Sequence, residues 1–229
     1  MSNTQLSRAA LLKIVLTRYI LGFLALCLVF FLPAGTLNYW QAWVYLAVLF
    51  IPMAFALIYL FVKDRALLER RMSLHEREHE QSLIIKLSYL WFLLAFVLPG
   101  LDQRWGWSQV PTWLVIVADV LVFAGYCIFV WVLRENSYAS RTVQVEQGQK
   151  VVSSGPYALV RHPMYTGSVL MYMASPLALG SYWAILPTLL IVPILVARII
   201  NEEKVLLRDL PGYADYQRKT PYRLAPGIW

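Results

Sequence analysis

The segment Gly155–Gly167, GPYALVRHPMYTG, concentrates the side chains that could do chemistry. Arg161 and His162 stand side by side before a proline, bracketed by Tyr157 and Tyr165. Arginine and histidine can donate hydrogen bonds to an anion, and tyrosine rings can face a cation. Pro156 and Pro163 fix the backbone and remove donors, while Gly155 and Gly167 permit unusual dihedrals or close approach. Such stiffening suits a site organised before its ligand arrives. A second pair, Arg198 and Glu202, is spaced to share one helix face. Each residue also has a structural reading. Arg161 can reach lipid headgroups, the tyrosines can join an interfacial belt, and Pro163 can open a helix. Arg198 and Glu202 can form an ordinary ion pair.

A third pattern, His75-Glu76-Arg77-Glu78-His79, matches H-E-x-x-H. On a helix its two histidines could hold zinc while Glu76 activates water, as in a membrane protease. Its surroundings argue otherwise. Ser73 and Glu76 form a capping-box pattern, which places the motif in the first, solvated turns of a helix running into an apolar run. The neighbours are charged, no apolar frame excludes water, and no third ligand is evident. Cys27 and Cys127 do not space as a metal site either and read as packing residues.

The elements that must position these residues are membrane helices. The chain has 229 residues, 59% hydrophobic and only 14% charged, with a mean hydropathy of +0.57. This excludes a water-soluble domain. Runs over roughly 14–32, 40–62, 83–101 and 112–133 each have about the 20 residues a bilayer crossing needs. A fifth region, 165–200, is broken at Leu179-Gly180-Ser181 and reads as a helical hairpin. The expected fold is an all-α, multi-pass transmembrane bundle of five spans, or six if the hairpin crosses fully. It forms a single integral membrane domain over 1–229, with a four-span part (1–133) and a C-terminal catalytic part (134–229). Assigning alternate loops to opposite sides leaves Arg104 as the one Lys or Arg away from the rest. The N-terminus, both long loops and the C-terminal tail are therefore expected on the cytoplasmic side. The net charge of +7 follows from this bias and from attraction to anionic lipid. The basic residues form no patch interleaved with stacking aromatics, so no nucleic-acid partner is expected. Asp119, inside the fourth run, is a functional candidate by default; its competing reading is a place near the outer end, beside Arg104 or water.

The ordered set GPYALVRHPMYTG, a short hairpin, RIINEE and GYADYQRKTPYRLAP resembles the isoprenylcysteine carboxyl methyltransferase family and, beyond it, phospholipid N-methyltransferases. The resemblance covers Gln144 to Pro226. It implies S-adenosylmethionine as cofactor at the cytoplasmic face and a lipophilic methyl acceptor entering from the bilayer. It further implies that Tyr157, His162, Pro163, Met164, Tyr165 and Glu202 contact the cofactor, and that Arg198 orients the acceptor; Arg161 joins the cofactor-contacting set on its chemistry alone. Val151 and Val152 would border the adenine through their backbone, with Gln149 and Lys150 adjoining and Gln144 an upstream contact. The residue types suit this ligand: rings for a sulfonium, His162 or Arg161 for a carboxylate, Glu202 for hydroxyl or ammonium groups. No G-x-G-x-x-G is present, so a Rossmann cofactor domain is not available. A carboxylate acceptor is already ionised and needs no base, which favours carboxyl O-methylation of an isoprenylcysteine-like substrate. Phospholipid amine N-methylation is the alternative. An NADPH-dependent sterol-type reductase carries a similar R-H-P-x-Y-x-G element, but an acid is expected after its glycine, where this chain has Ser168.

Overall fold

The computed structural model describes residues 6–72, 79–139, 145–146 and 148–229, with 79–90 described by backbone alone. Of the residues singled out above, Ser73, 75–78 and Gln144 lie outside this set. Among the described residues 74% are helical and none lies in a strand. In chain order the helices are α1 (Arg8–Ala34), α2 (Trp40–Lys63), α3 (Arg65–Met72), α4 (His79–Trp105), α5 (Thr112–Glu135), α6 (Pro163–Ala178), α7 (Ile185–Thr188), α8 (Ile191–Asp209) and α9 (Tyr213–Lys219). A 3₁₀ turn at Gly155–Ala158 lies between α5 and α6. Among the described residues, four stretches are long and apolar enough to cross a membrane: Arg8–Ala34, Trp40–Lys63, Thr112–Glu135 and Ile185–Asp209. Long helices follow from the solvent, because hydrocarbon offers the backbone no partner and each segment must satisfy itself.

Six passes, α1, α2, α4, α5, α6 and α7–α8, alternate between two ends of the bundle. At one end three short connections are tied together. The buried Asp102 carboxylate accepts from the Ser108 backbone N–H (2.7 Å), the Ser108 hydroxyl (2.6 Å) and the Ser181 hydroxyl. The Tyr182 N–H donates to Ser108 Oγ (3.0 Å), and the Tyr39 hydroxyl to the Leu179 carbonyl. Trp105, Trp107, Trp113 and Trp183 are exposed at this end, as interfacial aromatics are. The opposite end carries α3, residues 136–139 and 148–162, α9 and the tail. There Arg65 Nη2 donates to the Leu6 carbonyl (3.0 Å), and Arg71 Nη1 to the Ala139 carbonyl (2.8 Å).

The expected hairpin is present. α6 ends at Ala178, Gly180 takes φ +73°, and the chain returns through α7 and α8. At 16 residues α6 is the short half, about 24 Å long. α8 continues well past Ile200 because NEEKVLLRD keeps helical periodicity after its hydropathy has fallen. Asp119 sits two turns into α5, but in the bundle interior rather than near water. It is 5% exposed, and neither carboxylate oxygen has a hydrogen-bond partner among the described residues. Arg104 instead lies over Gly35 and the Trp105 ring.

α5 and α6 meet at two glycines. A β-carbon at Gly125 would come within 2.6 Å of the Gly167 carbonyl oxygen, and one at Gly167 within 2.7 Å of the Gly125 carbonyl oxygen. Only hydrogen fits at either position, and the two backbones touch, as small residues allow where helices cross in lipid.

Candidate active site

α6 begins where the RHP element ends. His162 caps the helix and Pro163 takes its first position, where a missing N–H costs nothing. Before it, Gly155 turns the chain at φ +56°; a side chain there would strike the Glu135 carboxylate, whose Oε1 accepts from the Ser154 hydroxyl. The tail then pairs with the element through its backbone. Arg161 N–H donates to the Tyr222 carbonyl and His162 N–H to the Arg223 carbonyl, both at 2.9 Å.

These elements enclose a cleft of about 880 Å³, its open mouth included. Gln149, Lys150, Val151, Val152, Tyr157, Arg161, His162, Pro163, Met164, Tyr165, Arg198 and Glu202 all line it. Every described residue singled out for the site thus reaches one space, from three separated stretches of chain. Arg198, Glu202 and Leu206 are successive positions four apart on one face of α8. The Tyr165 hydroxyl joins the first two, accepting from Arg198 Nε (2.8 Å) and donating to Glu202 Oε2 (2.7 Å).

Glu203 lies behind this wall, at 4% exposure. Its Oε1 accepts from Arg161 Nε (2.7 Å) and meets His162 Nε2 (3.2 Å), and its Oε2 accepts from Arg223 Nε (2.9 Å). Arg161 Nη1 also donates to the Thr220 and Pro221 carbonyls, at 2.9 and 2.7 Å. Arg161 borders the cleft, but its Nε and Nη1 bind protein, so its first role is to hold α8 and the tail together. On the other side of His162, Nδ1 lies 3.9 Å from Glu202 Oε1.

Sequence reasoning missed Asn136, Tyr138, Ala139, Leu206, Leu210, Tyr213 and Tyr216, which complete the lining. Asn136 Nδ2 donates to the Tyr157 hydroxyl (2.8 Å), and the Tyr216 hydroxyl donates to the Tyr157 carbonyl (2.8 Å). Burial pushes the Tyr157 hydroxyl up to about 12, with Asn136 opposing and Glu202 adding to the rise, so it stays protonated at working pH. Tyr213 is 4% exposed, and its buried hydroxyl has no hydrogen-bond partner among the described residues. Burial and then the Glu203 and Glu202 charges push that hydroxyl up as well, so it remains a donor. A buried, unsatisfied donor in a cleft wall is a place for a ligand acceptor. The clue in the sequence was the Tyr213/Tyr216 pair on a short helix, which alone does not distinguish a site from an amphipathic tail.

The arrangement offers carboxylate and tyrosine faces to a cation, an unpartnered hydroxyl to an acceptor, and Val151, Val152 and Leu206 to a flat apolar group. Residues 113–210 match the family model described as phospholipid methyltransferase, a family that includes the isoprenylcysteine carboxyl methyltransferases. The match spans less than half of the chain, from the start of α5 to the residue after α8. It bears out the resemblance read from the RHP and RIINEE elements, begins earlier than that resemblance did, and stops short of the tail.

Proposed function

We propose that the cleft binds S-adenosylmethionine and that the protein methylates a lipophilic acceptor, the carboxylate of an isoprenylcysteine-like molecule. The observation that carries this reading is the convergence of 149–152, 157–165 and 198–206 on one cleft, with the Tyr165 hydroxyl bridging Arg198 and Glu202. When bound, S-adenosylmethionine supplies a methyl group on a sulfonium sulfur. The chain's own residues fit such a ligand. Glu202 and the rings of Tyr157 and Tyr165 favour positive charge, the Tyr213 hydroxyl offers a donor, and the 149–152 segment lines the apolar side. Orientation is the main task in an in-line transfer. Arg198 lies one turn before Glu202 on α8, toward the apolar part of the bundle, where a lipid-borne carboxylate would arrive. Its guanidinium then aligns an acceptor oxygen that needs no base. By the distribution of Lys and Arg, this end of the bundle faces the cytoplasm.

A second reading is N-methylation of a phospholipid amine, favoured by the description of the matching family. An ammonium must first lose a proton, and Glu202 would receive it. Incubation of the purified protein with methyl-labelled cofactor separates the two. A prenylated cysteine should give a product whose label is released as methanol by mild base, whereas a methylated amine keeps its label. Label transfer to phosphatidylethanolamine alone would replace the first reading with the second. NADPH oxidation without methyl transfer would replace both with the reductase.

Tyr213→Phe provides a separate check of the cofactor site. Losing one hydrogen bond to the ligand is expected to weaken S-adenosylhomocysteine binding about tenfold. Thermal stability should hold or rise, because an unsatisfied buried hydroxyl is removed. Unchanged affinity by titration calorimetry would remove Tyr213 from the site.

A further inference from the structure

His162 is the one imidazole among the described side chains, and the cleft leaves it a single free direction. Its Nε2 faces Glu203 Oε1 at 3.2 Å, and its Nδ1 faces Glu202 Oε1 at 3.9 Å. Glu203 is buried and already accepts from two guanidiniums, Arg161 at 2.7 Å and Arg223 at 2.9 Å. A carboxylate held in that way can only accept, so a neutral His162 must place its proton on Nε2. Its Nδ1 is then a lone pair, set beside a second carboxylate. Neither group donates, and Arg161 Nε and Nη1 are committed to Glu203 and the Thr220 and Pro221 carbonyls. With His162 neutral, the corner between Nδ1 and Glu202 therefore suits a donor rich in hydrogens.

Arg223 makes the arrangement depend on the tail. Its backbone carbonyl accepts from the His162 N–H, its side chain reaches Glu203, and its guanidinium lies 4.9 Å from the centre of the Trp229 ring. One residue thus grips both His162 and the carboxylate that orients it.

We propose that Arg223, acting through Glu203, is a positioning residue that holds His162 as the Nε2–H tautomer, so that Nδ1 and Glu202 together receive the α-ammonium group of the methyl donor rather than its carboxylate. This rests on the reading of the cleft as the S-adenosylmethionine site, and it reverses the simpler expectation that His162 or Arg161 meets the ligand carboxylate. The chain has three histidines, so ring-¹⁵N spectra of histidine-labelled protein can be assigned by the signals lost in His162→Gln. Recorded with the ring neutral, the spectrum should show a protonated Nε2 and a bare Nδ1 for His162. S-adenosylhomocysteine should bind at least about tenfold tighter than its deaminated analogue, the change expected for one lost charge-assisted hydrogen bond. In Arg223→Gln the tautomers should mix and this preference should shrink. Arg223→Lys, which keeps the charge but not the forked geometry, should restore part of both.

A wild-type spectrum with the proton on Nδ1, or equal affinity for the two nucleosides, overturns the proposal. So does an Arg223→Gln protein with unchanged tautomer and unchanged preference. If that variant does not fold, the two wild-type measurements and Arg223→Lys still decide. Failure of the wild-type protein to bind S-adenosylhomocysteine would count against the cofactor reading instead, and with it against the ammonium contact, while the ring spectrum would still report the tautomer.

Discussion

Gly167→Ala, a change of one methyl group, is expected to lower methyl transfer about a hundredfold, the cost of an ångström-scale misplacement in a reaction that depends on alignment. The added carbon would lie 2.7 Å from the Gly125 carbonyl oxygen, and a backbone oxygen cannot rotate away as a side chain can. α6 must move off α5, and Tyr165, two residues before Gly167, moves with it. The Tyr165 hydroxyl then loses its joint position on Arg198 and Glu202. Overpacking of this kind also destabilises by about 1–3 kcal/mol. Gly125→Ala should behave alike, its β-carbon meeting the Gly167 oxygen and Met171 Cγ at 2.6 Å. The double variant should cost less than the sum, because one displacement relieves both clashes. Gly22→Ala, with nothing within 4 Å of the new carbon, is the control; it should leave activity unchanged and the melting temperature unchanged or slightly raised, since alanine favours a helix interior. Wild-type activity in Gly167→Ala would show that the crossing does not position the site.

Glu202→Gln should separate cofactor binding from proton transfer. The amide can still accept from Tyr165, so the fold should persist, but the charge offered to a cationic ligand is lost. A hydrogen bond to a charged group is worth about 1.5–3 kcal/mol, so S-adenosylhomocysteine affinity should fall roughly ten- to hundredfold. If Glu202 only binds cofactor, saturating methyl donor restores the rate. If it also takes a proton from an amine acceptor, the rate stays low at saturation and recovers as the pH is raised, because the amine then deprotonates in water. Unchanged affinity and rate would remove Glu202 from the site.

The residues legible in the sequence were those whose types and local spacing are unusual in an apolar chain. Tyr157, His162 and Tyr165 stand out just ahead of an oily run, and Arg198 and Glu202 fall four apart where a helix was already expected. Glu203 was not legible. Adjacent acids differ by about 100° around a helix, and only the tertiary structure turns Glu202 into the cleft and Glu203 toward Arg161 and Arg223. Tyr213, Asn136 and Tyr138 were missed for a related reason, since their roles come from contacts over long sequence separations. Hydropathy reports directly the helices at the four N-terminal runs, three of which are long and apolar enough to cross among the described residues, and the break at Leu179–Ser181. α3 falls in a stretch that hydropathy marks as loop, since its eight residues, RALLERRM, carry too few apolar side chains to announce a helix. Leu67 and Leu68 nevertheless bury it against Val132, Leu133 and Ala139, beneath the floor of the cleft.

The pairing of Arg161 and His162 with the backbone of Tyr222 and Arg223 bears on biogenesis. The RHP segment leaves the ribosome well before the residues that complete it, and it must wait while the α6–α8 hairpin is inserted. Until Arg223 returns, Glu203 lacks one of its cations and the His162 N–H its acceptor. Ligand-binding competence should therefore come late in synthesis, after the helices have entered the bilayer. Released chains truncated before residue 220 should insert but fail to retain the nucleoside.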